Sequence, residues 1–83
     1  MTFFVYMLGN YRKTKLITYV GYTNNLKRRL KLHNSGKAAK FTKGKFWKLL
    51  YKEKFDSKNE AMSREHFIKN NRKVRNLIKS NYR

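Results

Sequence analysis

"YVGYTNNLKRRLKLH", Tyr19 to His33, changes character twice. It begins as a run of strand-favouring residues and breaks at Gly21. It then continues as a basic helix in which Leu26, Leu30 and His33 recur at helical spacing. Thr23 or Asn24 reads as the helix cap, and Gly36 as its stop. Gly21 lets the backbone turn sharply or approach another group closely.

The rest of the chain fits around this strand-to-helix passage. Upstream, "FFVYML", Phe3 to Leu8, is aromatic, β-branched and free of breakers, so it reads as a strand. The polar connection Gly9 to Thr14 is short, which makes Phe3–Leu8 and Lys15–Gly21 an antiparallel hairpin. Downstream, Lys37 to Lys45 is a basic loop. "FWKLLYKEKF", Phe46 to Phe55, reads as a third strand with poor alternation and hence an open register. Ser57 opens a helix with the capping box "SKNE", running to about Asn70. Arg72 to Ser80 is a last short helix or turn. The expected fold is α+β, in the order β-β-α-β-α. It has a three-stranded antiparallel sheet, flanking helices and one domain over residues 1–83.

Composition bounds the function. The chain has 83 residues, 40% hydrophobic and 16% aromatic, enough for one core and one shallow site. It has no cysteine, which excludes disulfides and thiolate metal sites and fits a reducing compartment. Its longest apolar run falls far short of the ~20 residues of a spanning helix, and the start lacks a signal peptide's basic flank. The chain therefore reads as cytoplasmic, with no membrane role. The net charge of +18 points to a polyanionic partner, most naturally nucleic acid held through its phosphates, with a membrane surface as the lesser alternative. Charge does not separate DNA from RNA. Compositional drift towards Lys and Asn is the bland alternative.

Four carboxylate side chains are present: Glu53, Asp56, Glu60 and Glu65. Glu60 belongs to the capping box. Glu53 is an ion partner in a basic strand, and Asp56 suits turn or helix-dipole chemistry. Glu65 points along the apolar side of its helix, where a carboxylate needs a partner. It is either a salt-bridge member or a metal ligand. A two-metal nuclease holds its ions about 4 Å apart and needs several converging acids, which this chain cannot spare. One Mg²⁺ on one glutamate remains possible, because that ion keeps several waters. Zinc is disfavoured, since His33 and His66 have no ligand spacing.

Tyr6 and Tyr19 lie in the two hairpin strands. They become near cross-strand neighbours if the turn centres near Arg12 and Lys13. Two phenols on one face could close a small polar site, or simply pack. Arg29 and His33, four apart, share a helix face. A guanidinium can bind phosphate and stabilise transition-state charge, and a neutral imidazole can relay a proton. The alternatives are an ordinary phosphate contact and a histidine capping the core. Lys27, Arg28 and Lys31 belong to a solvated nucleic-acid-facing surface. It continues through Lys37, Lys40, Lys43 and Lys45.

These same residues carry a resemblance. "FVY", Phe4 to Tyr6, and "YVG", Tyr19 to Gly21, stand where the two signature triplets of the GIY-YIG nuclease domain fall. Arg29 and His33 follow at that family's helix spacing. Glu65, in "SREHFIK", matches its metal-binding glutamate. The chain thus resembles the small stand-alone members of the family over roughly Thr2 to Ile78. The resemblance implies DNA endonuclease activity with a single Mg²⁺ or Mn²⁺ on Glu65. Tyr19 would position or deprotonate the attacking water with Tyr6 assisting, Arg29 would stabilise phosphoryl charge, and His33 would support proton transfer. Two departures stand out: Phe4 replaces the first signature glycine, and Tyr22 stands where some relatives carry lysine. The family's late asparagine has three candidates here, Asn70, Asn71 and Asn76. The expected substrate is branched or damaged DNA, with a protein partner available for targeting. The rival readings are a non-catalytic DNA- or RNA-binding module retaining the fold, and a ribosome-associated protein.

Overall fold

The computed structural model of the chain describes residues 1–12, 15–38 and 46–82. The elements are β1 (Phe3–Arg12), β2 (Lys15–Thr23), α1 (Leu26–Asn34), β3 (Lys48–Phe55), α2 (Lys58–Lys69) and α3 (Arg72–Tyr82). The three strands form an antiparallel sheet in the order β2-β1-β3, so the expected α+β architecture holds.

β1 is central and covered on both faces. Val5 and Met7 pack with Val20 of β2, Ala61 and Ile68 of α2 and Ile78 of α3. Tyr6 and Leu8 face the other way, against Trp47, with Leu26 and Leu30 of α1 packed around them. A strand buried on both faces needs no apolar–polar alternation, which accounts for the unbroken run "FFVYML".

β1 runs on to Arg12, past the expected end at Leu8. Gly9 does not break it, because Leu50 occupies the space of the missing side chain. A Cβ there would meet Leu50 Cδ1 at 2.6 Å. β3 pairs Met7 with Tyr51 and Leu8 with Leu49, skipping Leu50. This bulge accounts for the poor alternation of "FWKLLYKEKF", since Leu50 and Tyr51 both pack on the α2–α3 side. β3 starts at Lys48 rather than Phe46. Just before it, the Trp47 amide donates to Asn34 Oδ1 at 2.6 Å, and Asn34 Nδ2 donates to the Trp47 carbonyl at 3.1 Å.

Helix ends follow the local chemistry. The cap of α1 is Asn25, one or two residues past the expected Thr23 or Asn24. Its Oδ1 accepts from the Arg28 amide at 3.1 Å. Thr23 instead closes the preceding turn, its hydroxyl accepting from the Asn25 amide at 3.1 Å. Gly36 ends α1 as expected, at φ 78°, with Lys37 N–H donating to the Leu32 carbonyl at 2.9 Å. Ser57 caps α2, accepting from the Glu60 amide and donating to the Glu60 carboxylate at 3.0 Å. α3 is a full helix with Asn71 Oδ1 accepting from the Val74 amide. Arg75 Nη1 donates to the Ile68 and Lys69 carbonyls and so closes the end of α2. None of the described helices is long and apolar enough to cross a membrane.

Candidate active site

The register decides which side chains meet. Tyr6 pairs with Gly21, and Tyr19 pairs with Leu8. The two tyrosines are therefore diagonal rather than directly opposed, because the strand register pairs Arg12 with Lys15. Gly21 is the consequence of that pairing. A Cβ on it would lie 2.5 Å from Tyr6 Oη, so the glycine leaves room for the phenol to lie across β2. Of the two roles open to Gly21, close approach is the one the structure uses.

Tyr6 Oη and His33 Nε2 are 2.8 Å apart, and both residues are almost wholly buried, at 2% and 1% exposure. The Tyr19 ring packs on His33 at a centroid distance of 4.9 Å. Burial pushes the Tyr6 phenol well above its usual range, with Tyr19 and Glu65 adding to the rise and Arg29 opposing it. Burial, then the Arg29 charge, lowers the pKa of His33 from its ordinary 6.5. Both shifts favour the neutral forms, a phenol hydrogen-bonded to an imidazole.

A pocket of about 370 Å³ opens at the β2 edge of the sheet. Tyr6, Tyr19 and Gly21 contribute from the strands, Arg29 from α1, and Lys58 and Glu65 from α2. The structure thus brings four of the five expected site residues to one cavity: Tyr6, Tyr19, Arg29 and Glu65. His33 stands behind Tyr6, linked to the cavity through that phenol. Tyr22, Thr23 and Asn24 also line the pocket. Sequence reading passed over Lys58 and Asn24 as site residues. The only signal for either was its place beside a helix cap.

Glu65 is mostly covered, its side chain 18% exposed, with Oε2 3.4 Å from Lys69 Nζ. The salt bridge expected as the alternative to a metal is therefore present. Glu53 accepts from Tyr51 at 2.7 Å and Arg64 at 3.0 Å, and Glu60 serves the α2 cap, so neither is spare. Among the described residues no three of His, Asp and Glu converge. Among the described residues the pocket's side-chain oxygens belong to Glu65, to the tyrosines Tyr6, Tyr19 and Tyr22, and to Thr23 and Asn24. That hard set fits a single divalent cation that keeps several of its waters.

Asn70 and Asn71 are engaged in capping, Asn70 Nδ2 donating to the His66 carbonyl at 2.9 Å. Asn76 is exposed on α3. The asparagine that does reach the pocket is Asn24. Lys27, Arg28, Lys31 and Lys37 are exposed on or just after α1. Lys40, Lys43 and Lys45 lie outside the described residues.

Fold and site together define a small α+β domain with a polar, cation-walled pocket at a sheet edge. Residues 2–79 match the GIY-YIG catalytic domain, and the chain belongs to that family. It is similar to a UPF0213 protein of Clostridium perfringens, 54% identical over 52 residues, or 61% of this chain and 56% of that one. A UPF0213 protein of Natronomonas pharaonis is 45% identical over 67 residues, covering 80% of this chain and 75% of its own. The solution NMR structure of a UPF0213 protein from Bacillus halodurans matches with a TM-score of 0.53 and 36% identity. That match covers 96% of this chain and 84% of the other. The chain spans little more than half the length of the Clostridium relative.

Proposed function

We propose that the protein is a metal-dependent endonuclease that hydrolyses one phosphodiester bond in DNA, selecting its substrate by shape. The observation that carries this reading is the convergence of Tyr6, Tyr19, Arg29 and Glu65 on one pocket, with His33 hydrogen-bonded behind Tyr6. Family membership supports it.

The chemistry follows from the protonation states. A water attacks phosphorus as the bond to the leaving oxygen breaks. Tyr6 Oη takes the water's proton while passing its own to His33 Nε2, which accepts in the tautomer protonated on Nδ1. A neutral imidazole is needed for this, and burial supplies it. Tyr19 positions the water from the adjacent wall. Arg29 donates to the non-bridging oxygens and offsets the charge that develops on them. Glu65 would hold one Mg²⁺ or Mn²⁺, which supplies Lewis-acid polarisation of the phosphate. The leaving oxygen is protonated from solvent. The exposed cations of α1 and the lysines after it bind neighbouring phosphates, in a cytoplasmic protein. Branched or damaged DNA is the preferred form, because so small a surface leaves little area for base readout. A protein partner could supply further targeting.

A second reading, binding without turnover, draws on the Lys69 contact, which balances Glu65 without a metal. Incubating labelled duplex, nicked, flapped, branched and single-stranded DNA with Mg²⁺, Mn²⁺ or EDTA separates the two. Metal-dependent cleavage of a subset of these supports the nuclease. Salt-sensitive binding with no cut on any substrate supports the module. Matched RNA competitors test the choice of nucleic acid.

A further inference from the structure

An apolar groove lies beside the proposed active site, on the α1 side of the sheet. Its walls are Phe4, Leu26, Leu30 and Leu49, and Lys27 and Lys52 stand at its rim. Its volume is about 520 Å³, within the roughly 300–1,000 Å³ of small-molecule pockets. Asn24 lines this groove, the catalytic pocket and a small hollow walled by Arg28 and Arg29. The three depressions therefore meet at the start of α1.

Phe4 is the unusual member. It is half-buried, yet among the described residues it packs into neither core cluster. Its cross-strand partner on β3 is Lys54, and Lys52 pairs with Tyr6 on the same face. Lys52 and Lys54 are both exposed, and among the described residues no acidic one lines the groove. An aromatic ring with apolar walls, ringed by cations, complements a nucleobase attached to its phosphates. It does not complement an acidic or purely aliphatic surface as well. An aliphatic partner would leave the lysines facing nothing, and an acidic one would leave Phe4 unused.

We propose that this groove holds one unpaired nucleobase, stacked on Phe4, next to the scissile phosphate. Lys27 and Lys52 contact the phosphates of that nucleotide, and Arg28 and Arg29 receive the next one as the strand enters the pocket. The inference rests on the nucleic-acid reading above but not on turnover. It narrows the substrate class to DNA with an unstacked or extrahelical base beside the cut. A base inside a perfect duplex cannot reach the groove without leaving its stack.

The test uses the full chain in EDTA, so that an inactive protein still reports. Duplexes carrying 2-aminopurine as a one-nucleotide bulge, or at the same position fully paired, are titrated with protein. The bulge should bind about tenfold tighter, with its fluorescence quenched by stacking. Phe4→Leu keeps the apolar volume and removes the ring. It should reduce that preference to below threefold and remove most of the quench, whereas Phe4→Tyr should retain both. In the wild-type protein, 5-iodouracil at the bulge should photocrosslink to Phe4, a readout that needs no variant. Equal affinity for bulge and duplex would overturn the proposal, as would a crosslink elsewhere. A folded Phe4→Leu protein that keeps the preference would also overturn it. So would a concentration-dependent dimer that Phe4→Leu dissolves while the quench persists, since the groove would then serve self-association. Quenching without cleavage in Mg²⁺ would leave the base site standing and remove the nuclease. Cleavage with none of the Phe4 effects would do the reverse.

Discussion

Replacing Tyr6 by Phe isolates the buried phenol–imidazole pair. The ring's packing is kept, and one hydroxyl at 2.8 Å from His33 Nε2 is removed. Both residues are at most 2% exposed, so the bond that is lost is a buried one. Removing one partner of a buried hydrogen bond costs about 1–3 kcal/mol. For a domain of this size each kcal/mol moves the midpoint by roughly 4–8 °C. A central value of about 2 kcal/mol therefore lowers Tm by roughly 8–16 °C. Replacing both partners by apolar groups is far closer to neutral than replacing one. The double variant Tyr6→Phe/His33→Leu should therefore be destabilised by about 1 kcal/mol less than the sum of the singles. Urea and thermal melts of the four proteins measure this. In the same series cleavage by Tyr6→Phe should fall about 10²–10⁴-fold, since the proton relay is gone. A Tyr6→Phe protein that melts with the wild type and shows no coupling to His33 would refute the reasoning.

Gly21→Ala places a methyl 2.5 Å from Tyr6 Oη. It should cost about 1–3 kcal/mol in a urea melt and lower cleavage by displacing the phenol. Arg29→Ala should reduce kcat about 10²-fold or more while weakening DNA affinity only as one phosphate contact would, a split read from steady-state kinetics. Burial holds His33 below its ordinary pKa of 6.5, so below that pH the unfolded chain takes up the proton first. Its contribution to stability is complete above pH 6.5 and is lost as pH falls towards the folded-state pKa. Tm should therefore drop between pH 7.5 and 5.5, and drop less in His33→Leu.

Several elements were legible because local chemistry alone determines them. The capping box at Ser57–Glu60, the Gly36 stop and the apolar run of β1 each carry their own explanation. The errors arose where a distant residue decides. β1 continues through Gly9 because Leu50 fills the gap, and the β3 register shifts at the same leucine. The diagonal placement of Tyr6 and Tyr19 depends on where the hairpin turns, which composition does not reveal. Spacing placed Arg29 and His33 on one helix face. It did not show that His33 would be buried behind a phenol while Arg29 reached the cavity. The contribution of Lys58 came from how α2 packs against the edge strand, a tertiary fact that its place beside the Ser57 cap does not reveal.

The most direct test of the central claim is a cleavage time course with Glu65→Gln beside the wild type, across Mg²⁺ concentrations. The substitution keeps size and helix propensity and removes the carboxylate that, among the described residues, lines the pocket. The account predicts a folded protein that binds DNA with near wild-type affinity, cuts at least about 10²-fold more slowly and needs far more Mg²⁺. Wild-type cutting by Glu65→Gln, with the same Mg²⁺ dependence, would contradict it.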